Sequence, residues 1–260
     1  MKKIIVGTLT ALTLCSLAAC GSTKQVITIG ITTYEPMDYR DENNNWIGFD
    51  AELSMKVFSE LGYEAKFQVI EWEYKNVDLT TKSIDCIWNG MTITDELKDA
   101  FAITDPYLSN FQYGVTKTAS KDSYSSLADL NNKTVAVEGG STANDAIDGY
   151  IEEQGDGFKC EVVPCTDQNT AILNVYTGNA DIAIVDYTLA KSLLQEGTTY
   201  YGSLSPVDLG LEKEDYGVAF RKEDSELCKK VNDKIKSYYE DGYIASLAEK
   251  YGVSSLLISD

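Results

Sequence analysis

The sequence predicts an α/β protein arranged in two lobes. Short apolar runs of strand length alternate with segments whose apolar residues recur at helical spacing. Two such series follow one another, separated by the polar run Lys117 to Ser126. The length of 260 residues matches one to two domains, enough to bury a core without metal or disulfide staples.

The first series opens with a strand over Val26 to Ile31, followed by the turn-prone run Asp41 to Asn45. Phe49, Leu53, Val57 and Leu61 share one helical face, and Gly62 supplies the stop. Ala65 to Ile70 is a second strand, then a short helical stretch, then an apolar strand from Ile84 to Trp88. Phe111 to Thr116 is a further strand. The second series starts with Thr134 to Val137, and the turn Gly139-Gly140-Ser141-Thr142 opens a helix. Lys159 to Val163 and Asp181 to Val185 are strands, with a helix around Asn169 to Tyr176 between them. Tyr216 to Phe220 is one more strand, and helices over Glu223 to Glu240 and Tyr243 to Tyr251 close the chain. Crossings between the lobes are expected at Lys117 and within Leu204 to Leu211. The lobes would then be 26–116 with 212–255, and 117–211.

Charge and composition exclude several function classes. Acidic residues outnumber basic ones 41 to 22, a formal charge of −19 that repels nucleic acid. There is no histidine, which removes Ser-His-Asp and Cys-His pairs and most catalytic zinc sites. No cofactor or metal motif is present, and a monomer is expected. Lys2 and Lys3 precede an uncharged apolar stretch from Ile4 to Ala19, as in a signal peptide over residues 1–19. The run Leu17-Ala18-Ala19-Cys20-Gly21 resembles the lipobox of bacterial lipoproteins. That implies a lipid on Cys20 holding the protein at the outer face of the cell membrane. Cys160 and Cys165 are too far apart on an extended segment to bridge, while a pairing that involves Cys86 or Cys228 stays open.

Further motifs are distributed along the whole chain. They are Tyr34-Glu35-Pro36-Met37, Gly48-Phe49-Asp50, Gly90-Met91-Thr92-Ile93-Thr94-Asp95-Glu96 and Asp105-Pro106-Tyr107. Gly140-Ser141-Thr142, Asp181 to Asp186 and Tyr216-Gly217-Val218-Ala219-Phe220 follow. In this order and spacing they resemble the extracellular solute-binding proteins of family 3, which serve polar amino-acid ABC transporters. The resemblance covers Ile27 to Tyr251. It implies a periplasmic-binding-protein-like type II (Venus-flytrap) architecture with two hinge crossings. It also implies closure on a small amine-bearing ligand, foremost an amino acid, and delivery to an ABC permease and ATPase complex.

The resemblance also implies a ligand set. Asp186 matches the acid that pairs with the ligand's ammonium, although an aspartate at a strand–helix turn also caps helices. Thr92 and the backbone around Asn89 and Gly90 match head-group contacts. Ser141 and Thr142 open a helix whose N–H groups suit an anion. Tyr34 and Trp72 match rings that flank the ligand side chain; Trp88, inside an apolar strand, reads as core. One departure stands out: the family's carboxylate-clamping arginine is replaced by Leu97, and Lys98, one residue on, points elsewhere on a helix. Either backbone donors at Thr92, Ser141 and Thr142 hold a carboxylate, or the ligand is an amine or other cation without one. A dehydratase-like enzyme on the same fold is the remote alternative, because histidine and the arginine are missing.

Overall fold

The computed structural model describes residues 24–258. The expected signal peptide and the lipidation site Cys20 lie outside these residues. Among those described, no helix is long and apolar enough to cross a membrane.

In chain order the strands are β1 (Gln25–Ile31), β2 (Tyr39–Arg40), β3 (Trp46–Ile47), β4 (Tyr63–Val69), β5 (Cys86–Thr92), β6 (Ala102–Ile103) and β7 (Leu108–Lys117). They continue with β8 (Lys133–Glu138), β9 (Cys160–Cys165), β10 (Ile182–Asp186), β11 (Leu204–Val207) and β12 (Lys213–Phe220). The helices are α1 (Phe49–Glu60), α2 (Lys75–Thr80), α3 (Asp95–Ala100), α4 (Thr142–Gln154), α5 (Gln168–Thr177), α6 (Tyr187–Leu193), α7 (Ser225–Glu240) and α8 (Tyr243–Lys250). Each expected element is present within a few residues of its expected bounds. The short helix α3, α6, the small strands β2, β3 and β6, and the edge strand β11 add to them.

One hydrogen-bonded path joins both lobes, in the order β4-β1-β5-β12-β7-β10-β8-β9. In one half β1 runs parallel to β4 and β5, and in the other β8 runs parallel to β9 and β10. The halves meet through β7, which pairs with β12 over Leu108–Phe111 and with β10 over Gln112–Thr116. The exchange of partners falls ahead of Lys117, where the polar run placed the first crossing. The strand continues through it unbroken, so no loop or change of composition marks the site. The return crossing lies between β11, which pairs with β7, and β12. It therefore follows Leu204–Val207 directly.

Helical periodicity explains the packing. α1 buries Phe49, Leu53, Val57 and Phe58 against β4 and β5, where Trp88 is fully enclosed and meets Phe58 edge-on at 5.9 Å. Trp88 is thus a core residue. The second lobe has its own apolar centre of Val135, Val137, Ile147, Ile182 and Ile184. Among the described residues all four cysteines are free. Cys86 and Cys228 are buried, and Cys160 and Cys165 stand at opposite ends of β9. The parallel arrangement sends the carboxyl ends of β1, β4, β5, β8 and β10 toward one crevice, the place where open α/β sheets bind ligands.

Candidate functional site

Between the lobes lies a cavity of about 240 Å³, the size class of a small solute. Tyr34, Trp72, Asn89, Gly90, Thr92, Ser141, Thr142 and Asp186 all line it. Asn89 and Gly90 lie within β5, and the others arrive from a strand end or the first turn after one. Tyr34 follows β1, Trp72 follows β4, Thr92 ends β5 and Asp186 ends β10.

Asp186 is the N-cap residue of α6, yet its carboxylate makes no capping bond. It turns instead into a buried amide cage. Asn110 and Gln112 donate to Oδ1 at 2.5 and 2.7 Å, and Gln168 donates to Oδ2 at 2.5 Å. Gln168 also accepts from the Asp186 N–H at 2.8 Å, so this one side chain fixes both parts of the aspartate. Asp186 is only 5% exposed. Burial, then the charge of Glu214, pushes its pKa up to about 6, against the pull of the amides. Among the described residues no lysine or arginine bonds to it. A desolvated, pre-oriented carboxylate without a countercharge is suited to a cationic partner.

The other residues divide by how their polar atoms are used. The Asn89 amide is fully engaged: Oδ1 accepts from Thr32 N and Oγ1, and Nδ2 donates to Thr32 O and Asp38. The Gly90 N–H donates to Asp50 at 2.7 Å, pointing into the first lobe. Gly90 has φ +57°, and a Cβ there would lie 2.7 Å from the Tyr34 ring, so glycine lets that ring close over the strand end. Tyr34 is buried, and its hydroxyl bonds to Thr188 across the cleft and to Tyr216 at 2.9 Å. Thr92 donates to Glu214 at 3.0 Å. Ser141 caps α4 by accepting from Asn144 N at 3.2 Å while lining the cavity, so the two roles coexist. Leu97 is folded into an apolar cluster with Trp72, Ile87, Met91 and Phe101 beside the cavity. Lys98 faces away and pairs with Asp95 at 3.3 Å.

Two charged residues were not legible beforehand. Lys75, at the start of α2, is 8% exposed and reaches across the cleft to donate to Gly140 O at 2.7 Å. Its ammonium lies 4.9 Å from the Trp72 ring centre, and burial lowers its pKa against the opposing field of Glu138. Glu138 ends β8 and is 3% exposed. Its position at a parallel-strand terminus, directly before the glycine turn, was the available signal. The described lining holds Glu73, Glu96, Glu138, Asp145 and Asp186 against the single cation Lys75.

Gly140 sets how closely the lobes approach. It has φ +67°, and a Cβ would stand 2.9 Å from the Glu73 Cα across the cleft. Gly140→Ala is expected to leave each lobe folded, with strain of about 1–2 kcal/mol from the left-handed backbone. Because it props the lobes apart, ligand affinity should drop by about tenfold or more, a change read by calorimetric titration.

Comparison with known proteins agrees with this architecture. Residues 27–254 match the bacterial extracellular solute-binding proteins, family 3. The arginine-binding extracellular protein ArtP of Bacillus subtilis is 30% identical, over 96% of this chain and 98% of ArtP. A histidine-bound ABC uptake transporter substrate-binding protein of Streptococcus pneumoniae superposes with a TM-score of 0.80 at 29% identity, covering 90% of this chain and 95% of that one. An ancestral amino acid-binding protein, described as a precursor of cyclohexadienyl dehydratase, superposes at 0.77 and 29% identity, covering 87% and 95%. With the match spanning both lobes and the cavity between them, the chain belongs to the bacterial extracellular solute-binding proteins of family 3.

Proposed function

We propose that this protein is the lipid-anchored, extracellular capture subunit of an ABC importer, closing its lobes over a small amine-bearing ligand. An amino acid is the foremost candidate. The observation that carries this reading is Asp186: a buried carboxylate at a strand terminus, released from helix capping and held by three amides toward the cavity. It serves as the acceptor for the ligand's ammonium. Tyr34 and Trp72 are the rings that bound the rest of the ligand, and Ser141, Thr142 and Thr92 are its polar contacts. In this reading the lipid is on Cys20, and the permease and ATPase complex takes the ligand from the closed form. Lobe 1 is made of 26–111 and 213–255, and lobe 2 of the residues between, following the strand pairing.

A second reading has its own support. Leu97 sits in an apolar cluster where a carboxylate would find no cation, so the ligand is instead an amine without a carboxylate. Lys75 answers that in part, since its ammonium lies at Gly140, next to the α4 N-terminus. A binding function accounts for the site without chemistry, and no histidine is available as an acid–base group. The two readings separate in a thermal-shift screen of the purified protein with matched pairs, each an amino acid and its decarboxylated amine. At 100 times its dissociation constant a ligand stabilises by about 2.7 kcal/mol. Preferential shifts from amino acids support the first reading and shifts from amines the second. No shift from either member of any pair counts against Asp186 as an ammonium acceptor.

A further inference from the structure

The anionic character of the cavity does not end at Asp186. Glu138 closes β8, the strand bonded in parallel to β10, so both carboxylates issue from neighbouring strand ends into one cavity. Glu138 is almost fully buried, yet among the described residues its Oε1 has no hydrogen-bond partner. Lys75 is the one cation of the described lining, but it does not bond to Glu138. Its ammonium donates to Gly140 O at 2.7 Å and approaches Trp72 O at 3.4 Å. Two desolvated carboxylates therefore share a cavity with one ammonium that bonds to neither, and Glu138 can ionise there at little cost only when a further cation arrives. A buried carboxylate without a bonded partner is unfavourable, and a fold retains one where something else supplies the countercharge.

The geometry points to Glu138 as the specificity-determining carboxylate, accepting a second cationic group of a ligand whose ammonium is on Asp186. The ligand class is then a molecule with two nitrogen cations, a basic amino acid or a diamine. This rests on the reading of Asp186 above. A ligand with a neutral tail leaves Oε1 unpartnered and brings no further cation. A ligand with a cationic tail supplies both, with its stem along the Trp72 ring in the same cavity.

Calorimetric titration of the purified protein with lysine, norleucine, 1,5-diaminopentane and pentylamine tests the assignment. The two pairs differ only in the terminal ammonium, one with a carboxylate and one without. The cationic member of at least one pair should bind about 30-fold or more tighter. Glu138→Gln should lower the affinity of that member by a similar factor and change that of its neutral partner by less than about threefold. Retained binding of the neutral partner shows that the variant is folded. Lys75→Met should keep the tail preference. The inference is overturned if neutral and cationic tails bind alike, if Glu138→Gln weakens both equally, or if the preference vanishes with Lys75 alone. In those cases the ammonium role of Asp186 stands. If none of the four probes binds, that role fails and the Glu138 assignment falls with it.

Discussion

Asp186→Asn should weaken binding of any ammonium-bearing ligand by at least about 30-fold without unfolding the protein. The substitution keeps the shape and removes the charge. The wild-type carboxylate accepts from Asn110, Gln112 and Gln168, and an asparagine oxygen can keep the first two of these bonds. Its amide nitrogen would then replace the acceptor of the Gln168 N–H, so that one bond is lost while the Gln168 oxygen keeps the backbone N–H of residue 186. The fold around β10 is therefore preserved. Binding has no such replacement, because the ligand's ammonium would meet a neutral amide in a site withdrawn from water. Removing one partner of a buried, hydrogen-bonded charge pair costs about 2–5 kcal/mol, or roughly 30- to several-thousand-fold in affinity. Titration of the variant with the best wild-type ligand checks this, with a circular-dichroism melt as the folding control. An unchanged dissociation constant would remove Asp186 from the site and leave it a structural acid at a strand–helix turn.

How far the site could be read in advance depends on what each residue's signal is. Residues tied to glycine turns or strand ends were legible, since the chain marks those places with Gly90, with Gly139-Gly140 and with the apolar run before Asp186. All eight anticipated lining residues reach one cavity, and all but Asn89 do so at or next to such a mark. The amides that hold Asp186 carry no such mark: Asn110, Gln112 and Gln168 are ordinary polar residues until β7 and α5 bring them to the end of β10. Lys75 is equally silent, because a lysine in a short helix normally faces water, and here packing against Gly140 buries it. α6 was implied only by the strand–helix turn at Asp186 and given no bounds, because its seven residues Tyr187–Leu193 are too few to show a helical period. β11 escaped because Pro206 argues against a strand, and is accepted only since β11 pairs with β7 along a single side. Asn89 shows the opposite case. It lies at the site, but its side chain is committed to Thr32 and Asp38.

The ligand-free protein should become more stable, not less, as pH is lowered from 8 to about 5.5. Asp38, Asp50, Glu138 and Asp186 are buried carboxylates whose pKa values burial pushes up, Asp50 to about 7 and Asp186 to about 6. For each, the folded value lies above the unfolded one, so the folded state binds protons more readily through this range. Stability from such a group is fully present below its unfolded pKa near 4 and is lost as pH rises through its folded value. Asp186 contributes about 3 kcal/mol in all, of which about 1 kcal/mol falls between pH 8 and 5.5. Asp38 and Asp50 repel each other and titrate as a pair, adding in the same direction. At about 2–4 °C per kcal/mol for a protein of this size, the melting temperature should rise by several degrees between pH 8 and 5.5. Below about pH 4 the trend should reverse, because surface carboxylates such as Asp105 and Glu60 have lowered values and lose their lysine partners on protonation. An ammonium bound at Asp186 stabilises the charged form, so ligand should flatten the curve near pH 6 and bind more weakly in acid. Differential scanning calorimetry from pH 8 to 4, with and without the best ligand, reads both effects. A ligand-free melting temperature that falls steadily from pH 8 to 5.5 would mean that these carboxylates hold counterions in solution, and that the cavity is not the under-neutralised anionic site described above.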